Sequence, residues 1–300
     1  MDNFKDLHYN SISTYMTNRF GKKCVKLALD GNFTCPNRDG KLAFGGCTFC
    51  SAFGSGEFTG SIDEQIALAK EKWSKDCYYI AYFQNFSGTY APAEYLRYLW
   101  EDALSHEDVV GLAVATRPDC LDFDVLELLS EFNEKTFLWV ELGLQTSNEK
   151  TAESFNRCYK NSVFETAMNN LRNMGIRSVV HLILGLPGET RTDIMKSALY
   201  VAQMRPFGIK LHMLNILKDT AMGDAYLKNE FPLLTKEEYV ADVCDILEIM
   251  PKEITVHRLS GDAPKDALIA PLWTRNKHDV LNAIQHEFSL RQSCQGIYAR

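Results

Sequence analysis

Short apolar runs rich in β-branched and aromatic residues alternate along the chain with longer segments whose apolar positions recur at helical spacing. The runs Cys24–Asp30, Tyr78–Gln84, Leu112–Thr116, Phe137–Leu142, Ser178–Leu184 and Gly208–Leu214 predict strands. Between them Ile62–Trp73, Ala93–Leu104, Phe123–Phe132, Val163–Met174 and Thr192–Met204 predict helices. Ser61 and Glu64 form a capping box for the first of these, and Gly175 stops the fourth. Strands that alternate with helices imply a parallel sheet of βαβ units, so the pattern predicts an α/β fold with six such units, a partial barrel. After residue 220 the pattern changes to a helix over Lys236–Met250, a seventh strand-like run at Ile254–Leu259 and a helix over Lys277–Phe288. With no Pro- or Gly-rich linker, this reads as one compact domain: an N-terminal segment 1–23, a barrel 24–220 and a C-terminal extension 221–300 packed on it.

At 300 residues, 46% hydrophobic and 24% charged, the chain has a globular composition, which excludes collagen-like, coiled-coil and disordered classes. No apolar run reaches the roughly 20 residues a membrane span needs, and Met1–Asn10 lacks the pattern of a signal peptide. A cytoplasmic protein with no membrane partner is expected. The net charge of −7 disfavours a non-specific polyanion binder. Residues 1–60 and 251–300, however, each carry seven Lys/Arg against five Asp/Glu, so a polyanion would have to dock at the ends.

Nine cysteines in a chain without a secretory signal argue against a disulfide framework. Cys35, Cys47 and Cys50 fall at C-x11-C-x2-C spacing in a turn-rich loop, CPNRDGKLAFGGCTFC, directly after the first strand. Three thiolates so spaced suit a metal or iron–sulfur centre. A structural zinc would want a fourth ligand, for which Cys24 is available but poorly directed. An iron–sulfur cube held by three thiolates leaves one iron open to a ligand.

With this loop, the segments TRPDC (Thr116–Cys120), VELGLQT (Val140–Thr146), ILGLPGET (Ile183–Thr190) and the late GDAPKDALIAPLW (Gly261–Trp273) resemble the radical S-adenosylmethionine (SAM) superfamily. The resemblance is to the radical SAM domain of the Elongator catalytic subunit and a family of short bacterial proteins related to it. The first cysteine gap departs from the superfamily's commoner C-x3-C-x-aromatic-C. The resemblance implies a partial (β/α)6 TIM-like barrel. It also implies that Cys35, Cys47 and Cys50 hold a [4Fe–4S] cluster whose fourth iron chelates SAM, which reductive cleavage turns into a 5′-deoxyadenosyl radical. A flavodoxin- or ferredoxin-type donor would supply the electron, and tRNA carrying a wobble uridine is the substrate it suggests. A small metabolite, or a zinc-stabilised nucleic-acid module without catalysis, are the rival readings.

By the same resemblance Phe49 packs near the adenine, and Ser87, Gly88 and Thr89 form a turn whose backbone holds the SAM amino group. Gly185 and Pro187 shape the adenine pocket, and Glu141 and Gln145 contact SAM. Glu141 is a charge inside an apolar strand, costly unless paired. Arg117, with Asp119, stands on the loop face within reach of SAM or substrate. Lys210 and His212 share one face of strand six, and with His181 they are candidate substrate contacts or acid–base groups. Cys120 near that face is a candidate hydrogen-atom or thiol donor, or inert packing.

Overall fold

The computed structural model describes residues 7–51, 60–73, 76–261 and 263–299. The elements run in the order α1 (Ile12–Phe20), β1 (Cys24–Leu29), α2 (Ile62–Lys70), β2 (Tyr78–Phe83), α3 (Ala93–Leu104) and β3 (Val109–Thr116). They continue with α4 (Phe123–Lys135), β4 (Phe137–Gln145), α5 (Glu149–Ser154), α6 (Asn161–Asn173), β5 (Arg177–Leu184), α7 (Arg191–Met204) and β6 (Gly208–Met213). The last are β7 (Ile216–Leu217), α8 (Ala221–Leu227), α9 (Lys236–Ile249), β8 (Thr255–Arg258), β9 (Leu268–Ala270) and α10 (Lys277–Arg291). None of the described helices is long and apolar enough to cross a membrane.

Seven strands form one sheet in the order β1-β2-β3-β4-β5-β6-β8, every neighbouring pair parallel. Six come from the units predicted by alternation. The seventh, β8, pairs with β6 in the same sheet and is therefore part of the half-barrel wall, inside the segment expected only to pack on it. The strand-like run at Ile254–Leu259 contains it, but no local pattern tells which sheet such a run joins.

The sheet has two apolar faces, as a parallel sheet covered on both sides must. Outward residues such as Leu27, Leu112, Leu138 and Val180 pack with Trp100, Phe132, Phe164 and the other helix faces. Inward residues Ile80, Tyr82, Ala113, Ala115, Trp139 and Val179 form a second cluster, on which Met16, Ile12, Tyr15 and Phe20 of α1 pack. The N-terminal segment therefore plugs the half-barrel, and Ser11 bridges to Val256 of β8. The capping box predicted at Ser61 is present, with Ser61 Oγ accepting from Glu64 N and Glu64 Oε2 from Ser61 N.

Candidate active site

In β/α barrels the loops after the strands build the ligand site at the C-terminal edge of the sheet. Here a cavity of about 520 Å³ opens at that edge, within the usual range for small-molecule sites. Cys35, Cys47, Cys50 and Phe49 form one wall, and Tyr82, Glu141, His181, Lys210, His212 and Arg258 project into it from the strands.

The cysteine loop is held against the segment after α5. The buried Asn37 donates to Asn156 O at 2.6 Å, Asn156 Nδ2 donates to Gly46 O at 3.0 Å, and Thr48 N to Phe155 O at 3.1 Å. Phe49 packs on Phe155 at 5.3 Å between ring centroids, as a loop anchor that also lines the cavity. A hydrogen bond between the Cys47 and Cys50 thiols, reinforced by burial, pushes Cys47 well above its usual value, and the same bond draws Cys50 below its own against burial. Arg117 near Cys35 and Cys47, and Arg38 near Cys50, favour the thiolates. Three thiols on one cavity wall with two guanidinium groups beside them fit an iron–sulfur cube with one open iron. A structural zinc would want a fourth protein ligand, and Cys24, at the start of β1, does not line the cavity with the three thiols.

The floor is built around Glu141, which is fully buried. Tyr82 donates to its Oε2 at 2.6 Å and Trp139 Nε1 to its Oε1 at 2.9 Å. His181 Nε2 lies 3.0 Å from Oε2, Lys210 donates to the same oxygen and to Tyr82 Oη, and Lys26 stands 3.9 Å from Oε1. Burial pushes the carboxyl up, but the Lys210 and Lys26 charges overcome it and hold Glu141 well below the usual carboxylate range. Burial, then the Lys210 charge, lowers His181 to about 4, so its imidazole is neutral at pH 7. Burial also lowers Lys210 from its usual value, against the pull of Glu141. His212 is lowered by burial and by His181, whose ring lies 5.4 Å away.

A carboxylate offers about four lone-pair sites. Four donors of this chain converge on Glu141, three of them on Oε2 and one on Oε1, so the carboxylate is an internal hub of the floor as well as a cavity-lining group. The turn Ser87-Gly88-Thr89 is likewise spent within the protein. Ser87 N donates to Thr34 O at 3.3 Å, Gly88 N to Ala115 O at 2.8 Å, and Thr89 Oγ1 to Cys120 O at 2.6 Å. All three residues are buried behind the cavity wall, which at this turn is Phe86. Cys120 is buried under the same turn, its thiol pushed up to about 12 by burial, and it lies off the cavity: packing, not donation, is its structural position. Gly185 and Pro187 are also off this cavity, and a Cβ on Gly185 would meet Leu234 at 3.0 Å.

Arg117, Gln145, Lys210 and His212 do line it. Arg117 forms a forked pair with Asp119, at 2.8 and 2.7 Å, and donates to Arg157 O at 3.0 Å. Gln145 has a φ of 63°, a left-handed conformation at the end of β4 that turns the chain toward the site. Sequence reasoning missed Tyr82, Arg157, Tyr159, Asn215 and Arg258, all cavity-lining. Arg157 is 1% exposed, donating to Leu144 O at 3.0 Å and Thr146 O at 2.8 Å, and its only local signal was a polar residue beside Cys158.

Residues 35–201 match the family model of the radical SAM superfamily, and residues 206–289 that of the radical SAM C-terminal domain. The chain belongs to the radical SAM superfamily. It is 48% identical over 296 residues to the Bacillus subtilis (strain 168) protein YtqA, covering 96% of this chain and 92% of that one. It is 22% identical to the tRNA uridine(34) acetyltransferase of Methanocaldococcus jannaschii over 62% of this chain and 34% of that enzyme. The archaeal Elp3 structure from Methanocaldococcus infernus superposes with a TM-score of 0.70 at 14% identity, over 91% of this chain and 64% of that one, which establishes the shared fold. Radical SAM membership makes this half-barrel an enzyme scaffold whose family works with a [4Fe–4S] cluster and SAM.

Proposed function

We propose that this enzyme modifies the wobble uridine of tRNA. The observation that carries the reading is one cavity with three thiols on its wall and a polar, partly cationic floor, in a chain related to tRNA uridine(34) acetyltransferases. Cys35, Cys47 and Cys50 would hold the cluster. When bound and reduced, it supplies the electron that cleaves SAM.

The chain's own residues then bind and orient. Arg38, stacked 5.0 Å from Phe86, and Arg117, held by Asp119, flank the thiols with fixed positive charge. Phe49 and Tyr159 offer apolar and aromatic surface to a nucleoside. Tyr82, Lys210 and His181 share the oxygens of Glu141, which fixes the Tyr82 hydroxyl and the Lys210 ammonium at the floor beneath the thiols. A flavodoxin- or ferredoxin-type protein is the electron donor this reading requires.

The test is a comparison of nucleosides digested from tRNA of cells with and without this gene, by liquid chromatography and mass spectrometry. The reading expects a wobble-uridine derivative to disappear or a precursor to accumulate in the deletion strain. Identical nucleoside profiles would overturn it in favour of a small-molecule substrate.

A further inference from the structure

The floor of the cavity divides into groups that are spent and groups that are not. Lys210, Lys26, Tyr82 and His181 are all engaged by Glu141. Beside them, His212 Nε2 and Asn215 Oδ1 are buried from solvent and have no hydrogen-bond partner among the described residues. A buried polar atom without a hydrogen bond is destabilising, so such atoms at a ligand cavity point to a ligand that completes them.

Both groups are neutral donor–acceptor pairs. The Asn215 amide carries one carbonyl and one NH₂, and burial keeps the His212 ring uncharged, with one N–H and one bare nitrogen. The amide is also fixed in place. It lies in the two-residue link between β6 and β7 and rests on Gly261, where a Cβ would come within 2.7 Å of Asn215 Nδ2. Gly261 is itself tied down by its N–H, which donates to Met213 Sδ at 2.9 Å. His212 near the C-terminal end of β6 and Asn215 in the link to β7, three residues on, face one cavity.

We infer that Asn215 and His212 read the imide edge of the target base. This rests on the wobble-uridine reading above and deepens it. The edge of uracil has a ring N–H flanked by carbonyl oxygens. The N–H is matched by Asn215 Oδ1, the adjacent carbonyl by Asn215 Nδ2, and the second carbonyl by the N–H of His212. Enzymes acting on a base draw it out of the stack into a pocket that reads this edge, and an anticodon loop presents it already unpaired.

The experiment measures binding of anticodon stem-loop RNAs with uridine or 3-methyluridine at the wobble position, and with 3-methyluridine elsewhere in the loop as control. The methyl group removes the N–H and occupies its place. Wild-type protein is expected to bind the uridine stem-loop about tenfold or more tightly than the wobble 3-methyl form, the scale of a good bidentate base contact. It should bind the control like the unmodified RNA. Asn215→Leu should lose the preference and Asn215→Asp should weaken uridine binding, each with its iron content measured to confirm an intact fold. Stem-loop binding that ignores wobble methylation, or a preference retained in Asn215→Leu, overturns the inference and leaves the tRNA reading standing. No binding of any stem-loop by wild-type protein overturns the tRNA reading itself.

Discussion

Glu141 stood out in the sequence because a charge within LWVELGL needs a partner. Its partners come from four other strands: Lys26 in β1, Tyr82 in β2, His181 in β5 and Lys210 in β6. Which residues of separate strands meet depends on register and barrel curvature, and no local pattern encodes either. Removing one member of a buried charge group strands the others at a cost of about 3–5 kcal/mol. Glu141→Leu is therefore expected to lose stability of that order in urea titration, while Glu141→Gln, which keeps two polar atoms, loses less. A loss below about 1 kcal/mol for Glu141→Leu, the size of an ordinary point substitution, would mean the hub is not a structural charge centre.

Glu189 makes a second residue-scale claim. Burial raises its carboxyl to about 7, with Thr146 donating to it. The folded state thus binds the proton more tightly than the unfolded chain, whose value is near 4.5. Its contribution to stability is full below about 4.5 and is lost as pH rises toward 7. The melting temperature of the wild type should fall more than that of Glu189→Gln as pH rises across that window. Parallel pH profiles for the two proteins would remove Glu189 as the source.

At the scale of elements, the six predicted strands were legible because each is a long apolar run with helical periodicity on either side. β7 and β9 have two and three residues, so tertiary pairing and not local pattern creates them, whereas β8 lies within the strand-like run Ile254–Leu259 and only its pairing with β6 was not legible. The turn after β2 misled for a different reason. Small residues suit a ligand cradle and a tightly packed turn equally well, and here the packing takes them. A Cβ on Gly88 would lie 2.9 Å from Ala115 O and 3.1 Å from Val114 Cγ1. Gly88→Ala should cost about 1–3 kcal/mol by overpacking, measurable by thermal denaturation. Wild-type stability in that variant would show that the turn can shift freely.

At the scale of the whole molecule, the structure redistributes the basic residues that the ends of the sequence offered to a polyanion. Lys22 and Lys23 precede β1, at the end of the half-barrel plugged by α1, where Lys22 pairs with Asp76 and Lys23 stacks on Trp73. Arg291 is held by Glu287 and Asp245, each at 2.7 Å. Exposed cations on the cavity side include Lys218, Lys265 and Arg275, the first two adjoining the cavity-lining Leu217 and Pro264, and the third donating to Lys265 O at 3.1 Å. Reversing Lys265 and Arg275 to Glu should weaken stem-loop binding. It should also flatten the salt dependence, by roughly 0.7 log units per log unit of salt for each phosphate left without its cation. Reversing Lys22 and Lys23 should do neither. The opposite result would put the RNA on the plugged end, remote from the thiols.

The most direct measurement joins both halves of the proposed chemistry. Iron-loaded protein, a one-electron reductant and SAM are combined with tRNA from a strain lacking the gene, and 5′-deoxyadenosine and the wobble nucleoside are quantified together. Turnover should form 5′-deoxyadenosine in step with loss of the precursor nucleoside, and neither should change when Cys35, Cys47 and Cys50 are replaced by Ala. Turnover that persists in the triple variant, or SAM cleavage by the wild type that leaves every tRNA nucleoside unchanged, would contradict the account.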